Sequence, residues 1–529
     1  MGAVFLVICP KSSKYKPSEF PNPTFAHLRS FAHLRKMAPS LLATLLPYQQ
    51  EARDWCLDRE ANGCILAYDM GLGKTVISCA VIAANPVKTL VMVPASLLDQ
   101  WVTELQRHTE GFNITVYHGT QRNSKVGRAA LKRADIIVST AAVVARDLHN
   151  GVEIPAGRWI IDEAHRLKNS YGVSYGRLYA EAGAIENKIF LTGTPVCNRC
   201  SDLIALIGLT NREPYNNLKS WKKMKEKEKI KRLKEVLPEA LLRRTKEDTI
   251  PELLPTIQTK NIPIKLHSPS QQRDFYESFM EDDELLRRIL RMRQSANCYS
   301  QLFEKTQKRL GIETPQTASE ISVKITTLTE LLSTIPAGEK ILVFSQFTSL
   351  LSHLNTLFPG NYFYHGGLNS LEKSAVIDAF KAAEPATEPA NGNILFINLR
   401  AGGCGLNLTE ANHVILMEPY WNESEQKQAI DRVYRIGQKR PVTVYRFYIR
   451  YSIESWLHSL QKSKQLLANH LINTASNENA LEHLERHRAN TSQIFHNVAF
   501  STDSIPKQIL LKTGEMCPLD EYLESEGIF

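Results

Sequence analysis

The chain has 529 residues, length for roughly three or four domains, and 43% of them are apolar, ample for large buried cores. The balance of 64 Lys and Arg against 55 Asp and Glu leaves a net charge of +9, which favours a polyanionic partner. No stretch has the length of a membrane span, which excludes a membrane partner. The nine cysteines are scattered, and Cys197 and Cys200 form a single pair with no second pair after it, so they read as reduced thiols and exclude a zinc module.

Residues 1–40 read as a poorly ordered N-terminal extension. Their apolar run from Ala3 to Cys9 is shorter than a secretory core and has no basic flank. The myristoylation pattern after Met1-Gly2 fails at Leu6. Phe25-Ala26-His27-Leu28-Arg29 recurs as Phe31-Ala32-His33-Leu34-Arg35, a repeat too short to build a fold.

Residues 41–210 alternate short Val/Ile-rich runs with helical stretches, the signature of a parallel α/β sheet. Strands are expected at 89–93, 136–139, 159–161 and 188–191, with chemistry at their C-terminal ends. The most informative stretch is Asp69-Met70-Gly71-Leu72-Gly73-Lys74-Thr75, set between the apolar residues 63–67 and 76–82. It reads as strand, tight turn, helix. Gly71 and Gly73 can take positive φ, so backbone N–H groups and a helix N-terminus converge on phosphate oxygens. Lys74 then supplies a charge to the β and γ phosphates, and the Thr75 hydroxyl is placed to ligate Mg²⁺. The stretch lacks the first glycine of the full P-loop pattern, which weakens it taken alone. Trp159-Ile160-Ile161-Asp162-Glu163-Ala164-His165 supplies the missing support: an apolar strand ending in two carboxylates, Asp162 for the metal and Glu163 for the attacking water.

Residues 211–323 read as a helical insertion and inter-lobe linker. Within them, residues 219–234 hold nine Lys and Arg, and a solvated helix, a DNA-facing patch and a nuclear import signal all fit that composition. Residues 324–451 repeat the α/β alternation, with strands expected at 341–344, 393–397, 414–417 and 443–448 and a mobile surface loop at 382–392. Residues 452–529 read as a helical brace, carried by the periodicity of 453–471, and a tail without motif.

Seven further segments carry a family resemblance. Leu45-Leu46-Pro47-Tyr48-Gln49, Val93-Pro94-Ala95-Ser96-Leu97-Leu98-Asp99-Gln100-Trp101, Ile136-Ile137-Val138-Ser139-Thr140 and Leu191-Thr192-Gly193-Thr194-Pro195 lie in the first lobe. Ile341-Leu342-Val343-Phe344-Ser345-Gln346-Phe347, Gly402-Gly403-Cys404-Gly405-Leu406-Asn407-Leu408-Thr409 and Gln428-Ala429-Ile430-Asp431-Arg432-Val433-Tyr434-Arg435-Ile436-Gly437-Gln438 lie in the second. In order and spacing they resemble the entry motif and motifs Ia, Ib, III, IV, V and VI of the superfamily 2 helicase-like ATPases, narrowed to the Swi/Snf type of double-stranded DNA translocase. Leu241-Leu242-Arg243-Arg244-Thr245-Lys246 resembles the segment that family carries after its first lobe. One departure is Lys373, where the family usually has Arg, a change that keeps a point charge and loses bidentate geometry.

The resemblance implies two RecA-like parallel-sheet lobes with helical insertions and a C-terminal helical extension. It implies ATP and Mg²⁺, with Gln49 on the adenine, Asp69 to Thr75 around the phosphates, Thr75 and Asp162 on the metal and Glu163 on the water. Arg432 and Arg435, three apart and so on one face of a helix, are its arginine fingers, with Gln428 one turn earlier. Duplex DNA would be held through phosphates without base readout, by Ser, Thr, Asn and backbone N–H donors of motifs Ia, Ib, IV and V. The implied work is remodelling or displacing protein on DNA, on nucleosomes or transcription complexes in a nucleus, in chromatin, transcription or repair. A strand-separating helicase and a low-turnover DNA-binding scaffold are the alternatives. Compact chains of this kind resemble baculovirus global transactivators as well as stripped-down cellular relatives.

Overall fold

The computed structural model describes residues 39–120, 122, 124–167, 173–195, 200–266, 285–297, 322–383, 392–399, 401, 406–459, 461, 508–510 and 516–518. The extension before residue 39, Cys197, the tract at 384–391, the glycines at 402–405 and nearly all of the chain after 461 lie outside the described residues.

Two parallel sheets organise the chain. The first is built from β1 (Cys64–Tyr68), β2 (Thr89–Met92), β3 (Ile114–Val116), β4 (Ile136–Ser139), β5 (Arg158–Ile161), β6 (Asn187–Leu191) and β7 (Leu241–Arg244), in the order β3-β4-β2-β5-β6-β1-β7. The second contains β8 (Ile257–Ile264), β9 (Ile341–Ser345), β10 (Tyr362–Tyr364), β11 (Ile394–Asn398), β12 (His413–Leu416) and β13 (Val442–Ile449), in the order β8-β13-β12-β9-β11-β10. Every neighbouring pair in both is parallel.

Central strands of such sheets are covered on both faces, so both alternating sets of side chains must be apolar. In the first sheet Ile65, Leu90, Ile137 and Phe190 enter one core and Leu66, Val91, Val138 and Leu191 the opposite one. The second sheet repeats this, with Leu342, Leu395 and Val414 on one face and Val343, Phe396 and Ile415 on the other. The expected strands at 89–93, 136–139, 159–161, 188–191, 341–344, 393–397, 414–417 and 443–448 all fall in this set to within a residue or two at each end.

The strands missing from the expectation are edge strands or lie where apolar runs are short. β8 falls within the stretch read as helical insertion and linker, yet it pairs with β13 from Ile257↔Val442 to Ile264↔Ile449. Seven of its eight residues are not buried and Pro263 interrupts it, so it carries no apolar signal, as an edge position allows. β7 likewise closes the first sheet from that stretch, with only Leu241 buried.

Among the helices that flank the sheets are α1 (Pro47–Arg59), α2 (Lys74–Ala84), α3 (Leu98–His108), α4 (Glu226–Ala240), α5 (Lys246–Thr249), α6 (Leu285–Asn297) and α7 (Glu423–Ile430). The basic stretch resolves into an amphipathic α4. Its Ile230, Leu233, Val236, Leu237 and Ala240 bury in the first core while Lys225, Lys227 and Lys231 face water. Its Arg232 lies over the rings of Tyr215 and Trp221, 5.2 and 4.9 Å from their centres.

α6 is fastened to the second sheet by buried polar groups. Arg293 donates to the Pro419 carbonyl at 2.8 Å and to Gln346 Oε1 at 3.2 Å. Lys324 donates to Asn297 Oδ1, the Met417 carbonyl and Glu454 Oε1 at 2.6 to 2.8 Å. Residues 453–459 are helical, the described part of the expected brace. Among the described residues no helix is long and apolar enough to cross a membrane.

Candidate active site

β1 ends at Tyr68 and α2 starts at Lys74, so the intervening turn has five residues to reverse direction. Gly71 at φ +88° and Gly73 at φ +81° make that possible, in a region side-chain-bearing residues rarely adopt. Gly73 is also needed for space: a Cβ there would lie 2.4 Å from Gln49 Nε2. Gln49, from the first turn of α1, accepts from the Leu46 N–H at 3.0 Å and donates to the Leu72 carbonyl at 3.4 Å, which holds the entry motif against the turn. Gly193 closes the other side, where a Cβ would meet Met70 Cγ at 3.3 Å and Lys74 Nζ at 3.8 Å.

Lys74 folds back over the turn, donating to the carbonyls of Tyr68 at 2.7 Å and Asp69 at 3.2 Å. Burial lowers its pKa, against the opposing pull of Glu163, Asp162 and Asp69. Thr75 is half-buried in the first turn of α2, and the Leu72 side chain is buried in the core, leaving only its backbone to the turn.

The Asp69 side chain is directed elsewhere than the expected phosphate cradle. Its carboxylate is buried and meets Arg243 Nη2 at 2.7 Å and Lys427 Nζ at 3.1 Å, and it accepts from the Lys246 N–H at 3.4 Å. Burial pushes its pKa up, and the Arg243 and Lys427 charges outweigh that, holding it below the usual range. An anion facing a polyphosphate would repel it; turned toward these cations it is neutralised.

Asp162 and Glu163 follow β5 directly. Asp162 Oδ2 accepts from Trp101 Nε1 of α3 at 2.8 Å and Oδ1 from the Glu163 N–H at 2.8 Å. Burial, reinforced by the Glu163 charge, pushes Asp162 up to about 6. Glu163 itself sits at φ +49°, a left-handed backbone held by its surroundings, of the kind that clusters at working sites. Its Oε2 is buried without a hydrogen bond, although His165 Nδ1 lies 3.2 Å away. His165 Nδ1 is also 3.2 Å from Thr192 Oγ1, which accepts from the Thr194 N–H, so the two acids are tied to the turn after β6.

A stability prediction follows from Asp162. Its folded pKa lies above the ordinary 3.8, so its contribution favours the folded state below about 4 and is lost as pH rises through about 6. Asp162→Asn is therefore expected to raise the thermal midpoint of metal-free and nucleotide-free protein at neutral pH, and to leave it nearly unchanged near pH 4. Calorimetry at the two pH values checks this.

The second lobe brings its own residues to the same turn. α7 ends at Ile430 with Gln428 half-buried in its last turn, and residues 431–437 continue as turns. Arg432 and Arg435 thus do not share a helix face as expected. At the end of the helix Asp431 still donates its N–H to the Lys427 carbonyl, and its carboxylate meets a lysine of the first lobe. Lys246, buried at the start of α5, donates to Asp431 Oδ1 at 2.6 Å and to the Tyr434 carbonyl at 2.6 Å. Arg435 is half-buried beside the P-loop turn: a Cβ on Gly71 would lie 3.8 Å from Arg435 Cβ and 3.4 Å from Lys246 Cε. Burial lowers the Arg435 pKa, opposed by Asp431 and Glu104. The Arg432 carbonyl accepts from the Leu408 N–H at 3.0 Å, and buried Gln438 donates to the Ala411 carbonyl at 2.7 Å.

Sequence reasoning did not assign roles to Trp101, Arg243, Lys246, Lys427 or Asp431. Three cations after the apolar pair Leu241-Leu242 were the only signal for two of them. On the expected nucleic-acid side, Ser139 donates to the Tyr117 carbonyl and Ser345 to Glu418, both inside the protein. Ser96 and Thr348 face water.

The fold and the site define a two-lobed P-loop protein in which one lobe carries the turn and the acids and the other brings Arg435 to it. Comparison with known proteins narrows this. A SNF2-related domain profile matches residues 48–330 and a helicase conserved C-terminal domain profile matches residues 323–437. The chain belongs to the SNF2-related family of helicase-like ATPases.

Its relatives include the putative ATP-dependent helicase/translocase YwqA of Bacillus subtilis, 29% identical over 83% of this chain and 50% of its own length. The ISWI chromatin-remodeling complex ATPase ISW2 of Saccharomyces cerevisiae is 30% identical over 78% of this chain and 39% of its own length. The probable global transactivator of Orgyia pseudotsugata multicapsid polyhedrosis virus is 28% identical over 82% of this chain and 92% of its own length. The chain thus spans half or less of the first two relatives and most of the third. The Sulfolobus solfataricus SWI2/SNF2 ATPase core in complex with dsDNA aligns over 87% of this chain and 97% of its own at 26% identity, with a TM-score of 0.38.

Proposed function

We propose that the chain hydrolyses ATP and uses the cycle of lobe closure to move along double-stranded DNA, remodelling or displacing bound protein. The observation that carries the reading is the meeting of the two lobes at one turn: Arg435 of the second lobe approaches Gly71, while Lys74 and the half-buried Asp162-Glu163 pair converge from the first. In this reading Gln49 faces the adenine and the backbone from Asp69 to Gly73, Met70 included, cradles the phosphates. Lys74 exchanges its two carbonyl partners for the β and γ phosphates.

The donor set fits Mg²⁺, since Thr75 and the ionised Asp162 offer hard oxygens that would hold it. The metal supplies charge neutralisation on the phosphate oxygens. Glu163, with a buried oxygen lacking a hydrogen bond, orients the attacking water and takes its proton. Arg432 and Arg435 stabilise the charge that spreads over the transferred group, with Gln428 beside them. Because the arginines come from the opposite lobe, turnover requires closure. Alternating closure and opening ratchets the duplex past the lobes.

Phosphate-directed contacts give little base specificity and a steep salt dependence. Names among the relatives, ISWI chromatin-remodeling and global transactivator, support chromatin or transcription complexes in a nucleus as the cargo.

The test is the steady-state ATPase rate without nucleic acid and with duplex DNA, single-stranded DNA or RNA, each at low and moderate salt. Duplex is expected to stimulate most, by an amount that falls with salt. Preference for a single strand puts the strand-separating helicase first, and no turnover with any partner leaves the low-turnover scaffold.

A further inference from the structure

Two ion pairs of opposite sense cross the cleft. The first lobe presents the Asp69 carboxylate and the Lys246 ammonium; the second presents Lys427 and Asp431, four residues apart around α7. Lys427 meets Asp69 and Lys246 meets Asp431, so a negative-positive pattern on one lobe faces a positive-negative pattern on the other. Arg243, three residues before Lys246, fixes Asp69 from behind.

The Lys246 pair is the buried one, with both side chains almost fully excluded from water. Its Nζ also donates to the Tyr434 carbonyl and lies 5.2 Å from the Tyr434 ring centre. One ammonium of the first lobe therefore grips both ends of the turn 431–434, whose next residue is Arg435. It also lies against the P-loop turn, since an added Cβ on Gly71 would be in van der Waals contact with Lys246 Cε at 3.4 Å.

A buried ion pair contributes little net stability, because desolvation offsets attraction, but it specifies geometry and is costly to break on one side. Here the cost of leaving Asp431 without Lys246 has a defined outlet. Besides Lys246, Lys427 acts on the Asp431 carboxylate, and Asp431 is in turn the first of the acids whose charge acts on Arg435. A carboxylate released from Lys246 would pair with an arginine and withdraw it from the phosphate side.

We propose that Lys246 is a positioning residue for hydrolysis: it occupies the Asp431 carboxylate and holds the turn through the Tyr434 carbonyl, which keeps Arg435 directed at the P-loop when the lobes are closed. The proposal rests on the reading of Arg435 as an arginine finger. Lys246 acts through motif VI.

The test compares wild type, Lys246→Met, Asp431→Asn and the double variant in duplex-stimulated ATPase, with a fluorescent ATP analogue for binding and the thermal midpoint as a check on folding. Lys246→Met is expected to lower kcat by at least about tenfold while KM and analogue affinity stay within about threefold, the split for a group acting only in the transition state. Asp431→Asn in the Lys246→Met background is expected to recover at least about half of the lost rate, because the competing carboxylate has gone. A purely structural role predicts the reverse, with the double variant no faster than Lys246→Met and kcat, KM and thermal midpoint worsening together. That result overturns the proposal, as does a Lys246→Met rate equal to wild type. A wild-type chain without ATPase activity overturns the proposed function as well, so the two failures are told apart by the wild-type rate.

Discussion

Lys74→Ala is expected to lower ATP turnover by roughly 10³-fold or more, since one preorganised donor aimed at developing charge carries that much alone. The effect exceeds that of losing an ordinary surface lysine because of where the ammonium lies. It is half-buried against the carbonyls of Tyr68 and Asp69, so it is poised beside the turn before any ligand arrives. It also faces Asp162 and Glu163, whose charges raise its pKa against the lowering by burial. Removing it leaves two half-buried carboxylates without that cation, and Asp162, already pushed up to about 6, is expected to hold its proton more tightly still. The substitution therefore weakens nucleotide binding as well as turnover, through the lost phosphate contact and through a less ionised metal ligand. Steady-state ATPase rates and calorimetric ATP binding measure the two losses separately. Near-normal turnover would remove Lys74, and with it the P-loop reading, from the mechanism.

Much of this arrangement was legible in the chain. The central strands could be read because strands covered on both faces must be apolar at every position, and residues 136–139 and 341–344 satisfy that rule without help from neighbours. The turn at 69–75 could be read because only glycine accommodates its backbone. β8 could not be read, because an edge strand buries almost nothing and takes its place from the register of β13. Asp69 was assigned by adjacency in sequence, yet its partners are Arg243 and Lys427, at positions 174 and 358 residues away. The helix expected to carry Arg432 and Arg435 stops at Ile430, and the turn after it meets Lys246, 185 residues from Asp431 in sequence. Long-range charge pairing leaves no period in a sequence, so sequence could nominate these groups and only the folded chain could pair them.

That distinction bears on Arg435→Ala, for which turnover is expected to fall by roughly 10³- to 10⁵-fold, the range for losing an arginine finger, with ATP affinity changed by no more than about threefold. The separation follows from geometry. Gln49, the P-loop backbone and Lys74 all belong to the first lobe and, in the proposed reading, would hold the nucleotide whether or not the lobes meet. Arg435 belongs to the second, and only at closure does its charge reach the transferred group. A group that contributes in the closed transition state and little in the bound ground state affects kcat rather than affinity. The cost of keeping a half-buried guanidinium at the cleft, visible in its lowered pKa, is offset in part by Asp431 and Glu104 from opposite lobes. Alanine removes that cost, so the variant is expected to close at least as readily as wild type while failing to hydrolyse. Single-turnover hydrolysis alongside equilibrium binding of a fluorescent ATP analogue distinguishes the cases. A large loss of affinity with a matching loss of rate would make Arg435 a ground-state phosphate ligand, and would locate the finger role at Arg432, held by its carbonyl to Leu408.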